Sequence, residues 1–372
     1  MGSLIARLAA ACAVVSAAAC VLGDPLRQPG MSMKMIPADT ALYVGASLTA
    51  TGKMVNSYGD TYPSQHIHYQ GLDPSVSVTP WGKVTGISYG RARIVARRED
   101  FIDTGFVSVV PPGVLGLGSF SSVDFVNNDG SGFVHVASPG QGLGEAPAWV
   151  PGGDTLVYSY GIPGGAGAAN LYVTDLAGNH HLLAAGGRDP RVSPDGWVYF
   201  TGADVIERIH LDGTGREIVI PTTVAFADPS PDGSMLAYFH IECSGGFGCG
   251  WEIRIRTVAD STSHLLVTDG ARPRWSPDGS RIAFYRPNPN TDVAVIYVID
   301  TAGTNLQQVS PPGRLYHWDA LDWSPDGAWI LASGLDALEL IRVSDGLALP
   351  LGYTGHDQLG FIEGYQAGSW RR

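Results

Sequence analysis

The chain has 372 residues, with 23 Lys and Arg against 35 Asp and Glu, and a formal net charge of −12. Because contacts with nucleic-acid phosphates need clustered basic side chains, this charge balance argues against a nucleic-acid partner. Hydrophobic residues make up 44% of the chain, which excludes a largely disordered protein. The 49 Gly and 25 Pro break helices and mark turns, so the composition favours an all-β protein.

The first residues have the composition of an export signal. Leu8–Ala19 is apolar or small, and it is shorter than the roughly 20 residues that cross a bilayer as a helix. The run Ala17–Cys20 resembles a bacterial lipobox, although Ala17 stands where Leu is usual. The resemblance implies that 1–19 is a signal peptide and that Cys20 carries a lipid anchor. The protein would then be exported and anchored in the cell envelope, in the periplasm or on the cell surface. Cleavage without lipidation is the alternative.

Cysteine usage agrees with export. Cys12 leaves with the signal, and Cys20 would be the lipid site. Cys243 and Cys249 flank a Gly-rich stretch typical of a hairpin tip, and an oxidising compartment would join them in a disulfide. A free pair or a metal-binding pair is the alternative. A zinc site needs about four ligands and the chain has no second Cys pair, so no metal site is predicted.

A linker at 20–31 precedes short apolar runs with period-2 alternation. Residues 32–111 contain about seven such runs, as in a small β-sandwich. The pattern V-x-G-x-x-x-G-x-A-x-I is present at Val84, Gly86, Gly90, Ala92 and Ile94. The segment resembles the bacterial immunoglobulin-like domain of group 2. This resemblance implies an immunoglobulin-like β-sandwich that serves as a surface spacer or adhesion module.

One catalytic motif occurs in this segment. Gly86–Gly90 spells G-x-S-x-G, the pattern of a nucleophile elbow with Ser88 as the nucleophile. That elbow requires a strand, a sharp turn and a helix, whereas strands are predicted on both sides here. We therefore predict no catalytic role for Ser88.

An internal repeat dominates the rest of the chain. The tetrapeptide Ser-Pro-Asp-Gly begins at Ser193, Ser230, Ser276 and Ser324, and a degenerate copy begins at Val150. Successive Pro residues of these copies are 43, 37, 46 and 48 residues apart, the period of one four-stranded propeller blade. Pro and Gly set the turn and Asp accepts nearby backbone N–H groups. The repeated Asp residues are therefore expected to shape turns and not to form a carboxylate site.

These repeats resemble the TolB-type propeller, whose blades carry W-S-P-D-G, an I-Y-V strand and a D-G turn. The resemblance is clear over 149–370 and weak over 114–148. Ala367–Trp370 repeats the approach to the motif, so the end of the chain would help to close a ring. The predicted fold is therefore all-β, with an immunoglobulin-like β-sandwich at 32–111 followed by a six-bladed β-propeller at 114–372. The α/β domain of TolB is absent, so the partners of TolB are not carried over.

Two functions of different classes fit this architecture. The first is a non-catalytic, monomeric cell-envelope lipoprotein whose propeller binds an envelope protein, peptide or glycan, with the sandwich as a spacer from the membrane. The alternative is a propeller enzyme, a lyase or hydrolase that acts on polysaccharide at the propeller mouth. Propellers support both, so the fold does not decide between them.

The enzyme hypothesis needs convergent acids, bases or metal ligands, and the polar candidates outside the turns are scattered along the sequence. His240 and Glu242 alternate on one predicted strand and are expected to face the same side. His317 lies in a later connection, before Trp323. We expect these three side chains to face a ligand. No catalytic residue, metal ligand or cofactor is predicted.

Overall fold

The computed structural model describes residues 30–63, 66–119, 122–137, 143–161, 169–243, 249–287, 293–335, 337–351 and 365–371. The predicted signal peptide and Cys20 lie outside these ranges. Every regular element in them is a β-strand, which confirms the all-β class, and none of them forms a helix that is long and apolar enough to cross a bilayer. The chain divides into two compact units. The first comprises the described residues up to Asp39 together with Gly45–Val107, and the second comprises Thr40–Val44 and the described residues from Ser108 onward.

The described part of the chain before residue 111 contains ten strands. They are β1 (Ser32–Ile36), β2 (Asp39–Tyr43), β3 (Ser47–Thr49), β4 (Thr51–Val55), β5 (Thr61–Pro63), β6 (His68–Gly71), β7 (Val76–Val78), β8 (Lys83–Gly86), β9 (Gly90–Arg98) and β10 (Phe101–Val110). They form three sheets in the orders β1-β4-β5, β3-β8-β7 and β2-β10-β9-β6. In β9, Ala92, Ile94 and Ala96 are fully buried, as the period-2 alternation predicts. The assignment of 32–111 to the immunoglobulin-like family, with a boundary near Pro111, stays a prediction.

The remaining strands belong to the second unit. They are β11 (Val114–Ser119), β12 (Ser122–Asn127), β13 (Val134–Ala137), β14 (Leu143–Trp149), β15 (Thr155–Gly161), β16 (Asn170–Asp175), β17 (His180–Ala184), β18 (Arg188–Val192), β19 (Trp197–Thr201), β20 (Ile206–His210), β21 (Glu217–Ile220), β22 (Val224–Pro229), β23 (Met235–Cys243), β24 (Cys249–Thr257), β25 (Ser263–Thr268), β26 (Ala271–Trp275), β27 (Arg281–Pro287), β28 (Ala294–Asp300), β29 (Gln307–Gln308), β30 (Tyr316–Trp323), β31 (Trp329–Gly334), β32 (Leu338–Arg342), β33 (Ala348–Pro350) and β34 (Tyr365–Trp370).

These strands form six antiparallel blades. Three are β14–β17, β18–β21 and β22–β25, and two more, β26–β29 and β30–β33, are joined into one sheet by the pair Ala294 and Tyr316. The last blade has the order β34-β11-β12-β13, so the end of the chain supplies its innermost strand. Each innermost strand packs against the next, in the cyclic order β14, β18, β22, β26, β30, β34 and back to β14. The ring is therefore closed by β34, as the repeat at Ala367–Trp370 predicts.

The Ser-Pro-Asp-Gly turns have the predicted local chemistry. Asp278 accepts hydrogen bonds from the Ser276 hydroxyl at 2.6 Å and from the Ser280 backbone N–H at 3.0 Å. Gly279 has a φ of +71°, in the left-handed region that Gly adopts readily. The hydrogen bond from Ser276 is the main cause that lowers the pKa of Asp278 to about 2. The hydrogen bonds of Asp278 thus stabilise the turn in which it lies, as expected for the repeated Asp residues.

Candidate functional site

Each innermost strand carries a buried side chain at its next-to-last residue or at the equivalent position. Around the ring these residues are Ala148, Arg191, Asp228, Arg274, Asp322 and Ser369. The four charged ones alternate in sign, and none is more than 8% exposed. Burial of a charge is costly unless the charge is paired and hydrogen-bonded, so their partners decide what they do.

The partners of these charges lie in neighbouring blades. Asp228 accepts a hydrogen bond from the backbone N–H of Trp275 at 2.7 Å, and its other oxygen is 3.8 Å from the Nε atom of Arg191. Arg274 donates to the carbonyl oxygen of Leu321 at 3.0 Å. Burial, followed by repulsion from Arg191, lowers the pKa of Arg274 to about 9. These groups link one blade to the next, and they are not free acids or bases for a reaction.

A second position on the innermost strands behaves differently. The strand register shifts there, between Glu145 and Ala148 in β14 and at the same place in β18, β22 and β26. The bulge places one non-glycine residue of each strand at a positive φ, namely Ala146, Asp189, Phe226 and Arg272. Such a conformation costs on the order of 1–3 kcal/mol, and its recurrence in four blades shows that the bulge belongs to the architecture. The side chain that the bulge presents, however, changes from blade to blade.

Three of these side chains meet, and with Arg188 they form what we call the bulge cluster (Arg188, Asp189, Phe226 and Arg272). The guanidinium of Arg272 lies over the Phe226 ring, 4.1 Å from its centroid, and is 3.5 Å from an Asp189 carboxylate oxygen. The Nε atom of Arg188 is 4.0 Å from an Asp189 carboxylate oxygen, and half of the Arg188 side chain is exposed. Asp189, Phe226 and Arg272 are partly buried. The cluster thus offers a cation, an anion and an aromatic face within reach of solvent.

Aromatic side chains extend the bulge cluster from Phe226 along the blade of β22–β25. The Phe226 ring is 6.0 Å from that of Phe239, which is 5.9 Å from the indole of Trp251 in an edge-on arrangement. Phe226 and Trp251 are partly exposed. Partly exposed aromatic rings beside a guanidinium are the side-chain types that carry most binding energy at protein interfaces.

A separate group of polar side chains lies on the hairpin of β23 and β24, in the fourth blade when the blade of β11–β13 is counted as the first. We call it the blade-4 cluster (His240, Glu242, Glu252 and Arg254). His240 is paired directly with Glu252 across the hairpin. The Nδ1 atom of His240 is 3.7 Å from a Glu242 oxygen and 3.5 Å from a Glu252 oxygen. Arg254 donates to that same Glu252 oxygen at 2.8 Å. The structure therefore brings His240 and Glu242 together, as their alternation on one strand predicts.

The other residues singled out from the sequence lie apart from these clusters. His317 is an exposed residue of β30, in a different blade from His240, and it is not part of the blade-4 cluster. The backbones of Cys243 and Cys249 face each other in the β23–β24 register, but their side chains are outside the described part of the structure. The disulfide and the ligand-facing role of His317 stay predictions. Ser88 lies between β8 and β9, so strands flank it on both sides.

The bulge cluster and half of the blade-4 cluster were missed in the sequence, although both leave a signal there. Asp189, Phe226 and Arg272 each stand four residues before the Ser of a Ser-Pro-Asp-Gly turn, where a comparison of the repeats finds variable residues. Glu252 comes three residues after Cys249, and His240 comes three residues before Cys243. Residues at equal distances from the two ends of a hairpin are cross-strand neighbours.

Comparison with known proteins gives the fold of the second unit. No protein-family model and no curated protein sequence matches the chain. Among solved structures, TolB from Acinetobacter baumannii matches with a TM-score of 0.56 and 16% identity over 82% of each chain. A TolB protein from Agrobacterium tumefaciens matches with a TM-score of 0.50 and 18% identity, over 65% of this chain and 90% of that one. The second unit has the fold of a TolB-type β-propeller.

A third solved structure broadens that comparison. A chain of the nidogen/laminin complex matches with a TM-score of 0.54 and 9% identity, over 70% of this chain and 99% of that one. Identities of this size show a shared fold and nothing about function. What this propeller does must therefore be argued from its own side chains.

Proposed function

We propose that this protein is a non-catalytic lipoprotein of the cell envelope, anchored through Cys20, whose propeller binds an envelope protein, peptide or glycan at the bulge cluster. One observation carries the proposal. The bulge recurs in four of the six innermost strands, yet it presents Ala, Asp, Phe and Arg in successive blades. A constant backbone with variable, partly exposed side chains is the arrangement expected of a recognition surface on a rigid scaffold.

The chemistry of the bulge cluster suits recognition better than catalysis. Stacking on Phe226 fixes the plane of the Arg272 guanidinium, so less side-chain entropy is lost when it binds a carboxylate. Asp189 is already paired with that guanidinium. An acidic or aromatic group of a protein or peptide partner would find both a cation and a ring face here.

A site-specific crosslink tests where the partner binds. Benzoylphenylalanine is incorporated at position 226 of the full exported chain. Position 256 is the control, because Arg256 lies outside the bulge cluster and donates a hydrogen bond to the Ser261 carbonyl in the turn between β24 and β25. After irradiation of intact envelopes, we expect an adduct from position 226 that position 256 does not give. The partner identified by mass spectrometry is then purified for binding measurements.

The binding measurements use matched substitutions. Arg272→Ala and Phe226→Ala should each weaken binding at least about tenfold, or roughly 1.4 kcal/mol, whereas Arg256→Ala should leave it unchanged. Added salt should weaken partner binding less in Arg272→Ala than in the parent protein, because the variant lacks the charge of Arg272. Equal adducts from both positions, or turnover of a polysaccharide that His240→Ala abolishes in a folded protein, would contradict the proposal.

A further inference from the structure

We propose that His240, Glu242 and Glu252 of the blade-4 cluster bind a divalent transition-metal ion of the Zn²⁺ type. These three residues each offer one ligand atom, and the three atoms lie within 4.8 Å of one another. The sequence predicts no metal site because its cysteine pair has no second Cys pair to complete a zinc site. The hairpin pairing of β23 and β24 brings Glu252 to His240 and so creates a donor set that the linear spacing does not reveal.

The state of the His240 side chain is what points to an ion. Its Nδ1 atom is shielded from solvent and has no hydrogen-bond partner in the described structure. A buried nitrogen without a partner costs about 1–3 kcal/mol, so such atoms call for an explanation. Nδ1 faces carboxylate oxygens at 3.5 and 3.7 Å, too far for good hydrogen bonds. Zinc–nitrogen and zinc–oxygen bonds of about 2.0–2.1 Å place tetrahedral ligands roughly 3.3 Å apart, close to the two distances from Nδ1.

The donor set also selects the class of ion. One imidazole nitrogen with two carboxylate oxygens suits Zn²⁺ and its first-row neighbours, whereas Ca²⁺ and Mg²⁺ prefer oxygen ligands alone. Three protein ligands leave a fourth position for water or for an external group. The side chains of His240 and Glu252 are only 19% and 15% exposed, while that of Glu242 is 58% exposed. The open position therefore lies toward solvent, on the side of Glu242.

The position of Arg254 allows a metal site to be distinguished from an ordinary salt bridge. It donates to the Glu252 oxygen that faces His240, so it competes with a metal for that oxygen and adds a repelling positive charge. Removal of the guanidinium should therefore strengthen metal binding. If the cluster is only a structural ion pair, removal of Arg254 has no metal-dependent consequence.

Calorimetry on the full exported chain tests the proposal. The protein is stripped with EDTA and titrated with ZnCl₂, and we expect one saturable site. His240→Ala and Glu252→Gln should weaken Zn²⁺ binding at least about tenfold, and Arg254→Gln should tighten it. His264→Ala, an exposed His in the same blade, is the matched control and should bind like the parent. Thermal unfolding of each variant in EDTA shows that it is folded.

Cobalt substitution identifies the ligands directly. Co²⁺ at the proposed site should give the visible absorption of a four- or five-coordinate ion without a thiolate charge-transfer band. That band would assign the ion to the cysteine pair and overturn the proposal. So would the absence of saturable Zn²⁺ binding, equal binding by His240→Ala and the parent, or weaker binding by Arg254→Gln. Because Arg272→Ala leaves this cluster intact, failure of partner binding and failure of metal binding are distinguishable.

Discussion

A buried carboxylate helps to hold the strand that closes the propeller, and its removal gives the sharpest prediction about stability. Asp322, at the end of β30, is 4% exposed. One of its oxygens accepts hydrogen bonds from the Ser369 hydroxyl and from the Trp370 backbone N–H, both at 2.9 Å. Both donors belong to β34, the strand from the end of the chain that closes the ring. Asp322→Ala should therefore loosen β34 before it loosens any other strand.

The magnitude follows from the two donors that are left behind. A buried donor that loses its partner costs about 1–3 kcal/mol, so Asp322→Ala should destabilise the propeller by about 2–6 kcal/mol. That is a large share of the roughly 5–15 kcal/mol that holds a typical domain together. Asp326 is the matched control, because it accepts two hydrogen bonds in an exposed turn of the same hairpin. Asp326→Ala should cost only about 0.5–1.5 kcal/mol.

Two assays measure the effect. Urea unfolding followed by Trp fluorescence gives the change in midpoint, since Trp275, Trp323, Trp329 and Trp370 are almost fully buried. Native-state hydrogen exchange then locates the loosening, which we expect at β34 and at its neighbour β11. In a double-mutant cycle, Ser369→Ala should cost less in the Asp322→Ala background than in the parent, because its acceptor is already gone.

Any of three results would show that Asp322 does not hold β34 in this way. One is an Asp322→Ala protein no less stable than Asp326→Ala. Another is faster exchange that is spread evenly over all blades, since the two hydrogen bonds join only β30 and β34. The third is full additivity of Asp322→Ala and Ser369→Ala, which would mean that the hydrogen bond between them contributes nothing.

Three further predictions concern the anchor, the hairpin and the turns. Intact mass of the membrane fraction should show a diacylglycerol addition that Cys20→Ala removes, and an unmodified secreted chain that begins at Cys20 would contradict the lipid anchor. If Cys243 and Cys249 form the predicted disulfide, the native exported protein should resist thiol labelling until it is reduced, and two freely reactive thiols would exclude it. Since the pKa of Asp278 falls to about 2 in the folded protein, its stabilising effect is present above about pH 4 and is lost as pH falls toward 2. Asp278→Asn should flatten acid unfolding in that range, and an unchanged acid profile would mean that the turn carboxylate does not couple to folding.

The repeat architecture is encoded locally, which is why the sequence alone determined it. A Ser-Pro-Asp-Gly turn is specified by four adjacent residues, and Asp278 accepts hydrogen bonds from Ser276 within the turn and from Ser280 directly after it. The spacing of successive turns is set by the four strands of a blade. Five clear periods together with the weaker match at 114–148 therefore predicted six blades, and the repeat at Ala367–Trp370 predicted that the last strand helps to close the ring.

Only the tertiary structure decided how side chains from different blades meet. Asp228 and Trp275 are 47 residues apart in the sequence, and Asp322 and Trp370 are 48 apart, yet each pair shares a hydrogen bond. The order of blades around the ring, and not the local pattern, brings such residues together. The same holds for Asp189 and Arg272, whose carboxylate and guanidinium meet because a bulge turns each of them out of register. Local turn chemistry can be predicted from a sequence because the hydrogen-bonding residues of a turn are adjacent. The two candidate sites instead join residues that become neighbours only when strands pair and blades close into a ring.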